Sequence, residues 1–74
     1  MRLVNEIVSP SGKCIVLLYQ RDDGHYWFEE IYEDFDEYAG VFWAQGFQSG
    51  LFADEELAQA EVRAVTPWLK NAQP

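Results

Sequence analysis

With Cys14 as its single cysteine, the chain can form neither an intrachain disulfide nor a multi-cysteine zinc site, and a cytoplasmic setting fits best. There is also one histidine, His25. It stands beside a turn, where acid/base work would need a positioned partner and a pocket that no neighbouring motif supplies. Basic residues are scarce: Arg2, Lys13, Arg21, Arg63 and Lys70 are the only five, and all lie outside 22–62, so the footprint of a nucleic-acid binder is missing. Long apolar runs are missing too. The N-terminal run breaks at Asn5-Glu6 and nothing approaches the roughly 18 apolar residues of a spanning helix, so neither an export signal nor a membrane span is expected. There is no Gly-rich phosphate loop.

Asp34 and Asp36 alternate as calcium ligands do. Ala39 and Gln45, however, stand where an EF-hand needs its glycine and bidentate glutamate, and no metal or other cofactor is expected. Carboxylates are too abundant for any pair of them to mark a glycosidase, so an enzyme is not expected either.

What the chain has in excess is acid and aromatic rings. Thirteen Asp and Glu residues against five basic ones give a net charge of −8, and twelve of those acids fall within 22–62. Ten of the twelve aromatic rings lie between Gly24 and Phe52, interleaved with Glu29, Glu30, Glu33, Asp34, Asp36 and Glu37. Such a stretch is too apolar to remain a solvated tail and too charged to be buried on every side, so it must be half core and half surface. Its field repels phosphate backbones and anionic headgroups, which disfavours direct nucleic-acid or membrane binding and favours a basic protein. Crowding of like charges from Glu29 to Glu37 is expected to raise some of the carboxyl pKa values.

The elements follow from period and punctuation. Arg2 to Val8 alternates and is rich in β-branched residues, and Ser9-Pro10-Ser11-Gly12 turns the chain into a second strand, Lys13 to Gln20, apolar on both faces. Asp22-Asp23-Gly24 is a hairpin loop. It predicts Tyr19 facing Trp27 and Ile15 facing Ile31, with Trp27, Glu29 and Ile31 on one face and Tyr26, Phe28, Glu30 and Tyr32 on the other, the latter preferred as core. Glu33 to Gly40 has no clean period and reads as a loop or single helical turn. Val41 to Gln48 forms a fourth strand in which Val41, Trp43 and Phe47 alternate against Phe42 and Ala44, with Gly46 marking a bulge.

Asp54 caps a helix from about Glu55 to about Thr66, which packs through Ala58, Val62, Val65 and Leu69. Pro67 ends or kinks that helix, Thr66 caps a second turn, and Trp68 plugs one end of the core. The expected fold is α+β: a two-layer sandwich of a three- to four-stranded antiparallel sheet with one C-terminal helix on one face. A single domain spans 1–70, with a frayed tail at 71–74.

One helix cannot cover both faces of a sheet this aromatic. The second face is therefore exposed, partly covered by Glu33 to Gly40, or buried in a self-association. A surface of Tyr19, Trp27, Glu29, Tyr32, Glu33, Asp34, Asp36, Glu37, Trp43 and Phe47 supplies rings as anchors and acids as steering charges. The leading expectation is a small interaction module that binds a basic protein there, mimicry of nucleic acid being one version. The alternative is a homodimeric structural protein without ligand, and an enzyme or metal protein comes third.

Overall fold

The computed structural model describes residues 1–72. Four strands, β1 (Arg2–Val8), β2 (Cys14–Gln20), β3 (Tyr26–Asp36) and β4 (Gly40–Gln48), precede two helices, α1 (Glu55–Val65) and α2 (Pro67–Ala72). The strands form one antiparallel sheet in the order β1-β2-β3-β4. The expected frayed tail at 71–74 falls partly within α2, and its residues 73–74 lie outside those described.

The β2–β3 hairpin has the predicted register, Tyr19 opposite Trp27 and Ile15 opposite Ile31. Its loop closes through a hydrogen bond from Gly24 N–H to the Arg21 carbonyl at 3.0 Å and one from Arg21 N–H to the His25 carbonyl at 2.8 Å. Side chains of Val16, Leu18 and Phe28 fall on one face because strand residues alternate, and this is the face that α1 covers with Ala58 and Val62. Phe28 is 1% exposed, Tyr26 packs against the core from the side, and the third ring expected there, Tyr32, is 38% exposed and stands outside the core cluster. Around Phe28 the rings of Phe47 and Phe52 sit with centroids 5.9 and 6.0 Å away. Val4, Ile7, Trp68 and Leu69 complete the rim.

Helix α1 starts as its sequence dictates, with the Asp54 carboxylate accepting from Leu57 N–H at 2.9 Å and Glu55 and Glu56 in the positive first turn. It ends differently from expectation. Val65 is 40% exposed and does not join the packing stripe. The helix stops at Val65, two residues before Pro67, and the chain bends at Thr66, which is buried in place of Val65. Thr66 N–H donates to the Val62 carbonyl at 3.1 Å, and the Thr66 carbonyl accepts from Leu69 N–H at 3.1 Å, so one residue links both helices. Trp68 returns over the sheet and donates its indole N–H to the Glu30 carboxylate at 3.2 Å.

Two further expectations are corrected. Glu33 to Gly40 is not a loop: β3 continues through Asp36 and turns within Glu37–Ala39 to enter β4 directly. Asp36 organises that turn, its carboxylate accepting from Tyr38 N–H at 2.8 Å and Ala39 N–H at 2.9 Å, and Gly40 follows at φ 80°, a conformation glycine adopts without a Cβ clash. Phe47 lies on the opposite face from Val41 and Trp43. Gly46 and Phe47 together oppose Glu30, and this extra residue reverses the alternation, turning Phe47 towards Phe28.

A Cβ on residue 46 would stand 3.0 Å from the Glu30 carbonyl oxygen. Gly46→Ala should therefore destabilise the fold by on the order of 1–2 kcal/mol as the bulge opens. An unchanged denaturation midpoint would refute the close approach.

Because β3 has eleven residues and β2 seven, the β3–β4 hairpin runs beyond the covered part of the sheet as a two-stranded arm. The last contact with β2 is Glu33 N–H donating to the Lys13 carbonyl at 2.8 Å. The radius of gyration, 13.3 Å, exceeds the roughly 11 Å of a compact chain of this length, and the extents of 41 × 33 × 16 Å show a thin plate.

Candidate partner-binding surface

The face turned away from α1 is built by the odd residues of β2 and β3 and their partners. Ile15, Leu17 and Tyr19 of β2 lie opposite Ile31, Glu29 and Trp27 of β3, Leu3, Glu6 and Val8 of β1 extend the face one way, and Trp43 and Gln45 of β4 the other. Among the described residues no helix covers it, and the predicted covering segment, Glu33 to Gly40, runs in the plane of the sheet instead. Tyr19 and Trp27 stack with centroids 4.6 Å apart and ring planes at 24°, a rigid aromatic plate near the middle of the face. Burial pushes the Tyr19 phenol above its ordinary pKa and the Glu29 carboxylate adds to the shift.

Within their ranges the strands put Glu6, Glu29 and Glu33 on this face and no Lys or Arg, Arg2 pairing with Gln20 on the other side, while Lys13, just before β2, lies opposite Glu33. Trp27 also borders an open hollow of about 450 Å³, lined by Met1, Arg21, Asp22 and Asp23 at the β2–β3 turn.

The sequence-predicted surface residues separate into two groups. Tyr19, Trp27, Glu29, Glu33 and Trp43 come together on the uncovered face. Tyr32, Asp34 and Phe47 lie on the helix side, beyond the reach of α1, and Asp36 and Glu37 belong to the arm's turn. Missing from the predicted set are Phe35 and Val41, paired on the arm and 69% and 65% exposed. Continuing the Trp27, Glu29, Ile31 alternation past Glu33 finds Phe35, whose partner on β4 is Val41.

Asp36 runs against the shift that crowding suggests. Asp36 has its pKa lowered, because Ala39 and Tyr38 N–H donate to the charged carboxylate. A depressed folded-state pKa contributes stability that is present above the unfolded value of about 3.9 and lost as pH falls through the folded one. The difference in melting temperature between the wild-type chain and Asp36→Ala should accordingly be largest near neutrality and shrink towards pH 3. A difference that stays constant with pH would show that the side chain acts without its charge.

His25 is exposed, its imidazole 3.3 Å from the Asp23 carboxylate. Cys14 is half-buried and free. Among the described residues no three His, Cys, Asp or Glu side chains converge to hold a metal ion, and no helix is long and apolar enough to cross a membrane. No family model, curated protein or solved structure matches the chain.

Proposed function

We propose that the chain is a small interaction module that docks a basic protein on the sheet face turned away from α1. The observation that carries this reading is the composition of that face: a stacked, half-buried Tyr19–Trp27 plate, half-buried Ile31 and exposed Trp43 lie among Glu6, Glu29 and Glu33, with no basic residue inside the strands on that side. Contiguous apolar surface beyond a few hundred Å² is uncommon on soluble monomers and marks contact sites. Its acids decide the kind of partner. A second copy pressed face to face would bring like charges into register, whereas Lys and Arg on another protein would be attracted and steered.

Binding of this type weakens with salt. Immobilised wild-type chain should retain a basic protein from a host extract at about 50 mM salt and release it by about 500 mM, where the Debye length falls to a few ångströms. The Glu29→Lys/Glu33→Lys double variant should retain none of it. Equal retention by the variant would overturn the reading.

A further inference from the structure

The geometry points to β4 as a pairing edge for a second copy of the chain, the two strands running antiparallel across a two-fold axis at Trp43. This goes beyond the docking face, because the contact is made by the rim of the sheet. Among the described residues no strand covers that rim. Exposed edges are ordinarily blunted by charge, proline or distortion. The opposite edge, β1, carries Arg2, Glu6 and an irregularity between Leu3 and Asn5. β4 carries nine residues, GVFWAQGFQ, with neither a charge nor a proline, and its bulge is confined to the far end.

Backbone alternation shows which groups are free. Glu33 donates to β2 and the Phe28 carbonyl accepts from Ser49 on the β4 side, so odd residues of β3 bond towards β2 and even ones towards β4. Phe42 and Ala44, opposite Asp34 and Tyr32, therefore bond inward. Val41, Trp43 and Gln45 present their N–H and C=O groups to the open rim. A two-fold at Trp43 pairs these three with Gln45, Trp43 and Val41 of the second copy, and on the other side of the sheet it sets the large Phe42 against the small Ala44. The strand is complementary to itself in both hydrogen bonding and volume.

Electrostatics permits this occupant despite the net charge of −8. The acid-bearing β3 strands of the two copies would be three strand spacings apart, about 14 Å, against a Debye length of about 8 Å at physiological salt. The seam is only about 20 Å long, well under a standard interface, so association should be weak and dependent on concentration.

Sedimentation equilibrium of the full chain from roughly 10 to 500 μM, with amide hydrogen exchange on the same samples, tests the proposal. The expected result is a monomer giving way to a dimer. Amides of Val41, Trp43 and Gln45 should gain about tenfold or more protection with concentration, whereas those of Phe42 and Ala44 are protected throughout. Gln45→Pro, which removes a rim donor and leaves the ladder to β3, should stay monomeric. If that variant does not fold, the wild-type exchange pattern still decides. A monomer at every concentration would overturn the proposal, as would a dimer whose Val41, Trp43 and Gln45 amides remain fast. The basic partner is absent from these samples, so failure here leaves the docking face untouched, and the Glu29→Lys/Glu33→Lys variant, which alters no β4 residue, tests that face separately.

Discussion

Phe28→Ala should leave the chain largely unfolded at room temperature. Phe28 is fully buried, with Phe47 and Phe52 against its ring and Val16, Leu18, Ala58 and Val62 in the same cluster. Truncating such a ring costs about 3–5 kcal/mol, because the neighbours relax only partly into the cavity. A domain of this length holds roughly 4–10 kcal/mol in total, and one with a single half-covered sheet belongs near the bottom of that range. Val65→Asp provides the contrast: at 40% exposure its carboxylate remains solvated, and the change should cost less than about 1 kcal/mol. Urea denaturation of both variants checks the pair. Equal midpoints would mean that α1 packs through a different stripe from the one seen.

The second large effect belongs to the adjacent residue. Trp27 points to the opposite face, stacks on Tyr19 across the hairpin and shares its face of β3 with Glu29 two residues on, so its removal strips the docking face of its central ring and leaves the core alone. Buried aromatic anchors at interfaces are worth about 2 kcal/mol or more on truncation, which is roughly a 30-fold loss of affinity. Trp27→Ala should therefore weaken capture of the basic partner by at least that factor while unfolding remains cooperative. Trp43→Ala should act in the same direction. A Trp27→Ala chain that binds as well as wild type would move the contact to the other face, where Tyr32, Phe42 and Phe47 form a second exposed group.

How far the chain could be read depended on whether burial had written a pattern into it. The β2–β3 hairpin was legible down to its register, because Asp22-Asp23-Gly24 admits few loop geometries and the loop fixes every pair behind it. The cap at Asp54 was legible for the same local reason. The arm was not, since Glu33 to Gly40 lies where neither face is covered, and strand alternation appears in a sequence only when one face is dry. Phe47 was assigned to the wrong face although the bulge at Gly46 was expected, because one inserted residue inverts every assignment after it. Val65 fitted the helical period, but the burial there went to Val62 and to Thr66 at the bend. The ten-residue surface was read as one because acids and rings were counted along the chain; their division between faces needed the register of β4.

The order β1-β2-β3-β4 also has a kinetic consequence. Five residues separate β1 from β2 and β2 from β3, and three separate β3 from β4. The entropy of closing such short loops is small and each strand meets its partner soon after it forms, so the sheet can zip from the β2–β3 turn in both directions. Helix α1 must return across a long separation, from Ala58 to Val16, with Trp68 following it back to Glu30. Since Val16, Leu18 and Phe28 stay wet until it arrives, helix docking is the step that commits the chain to its native state. Core changes on α1 should then slow refolding, and changes at the tip of the arm should act almost wholly on the unfolding rate.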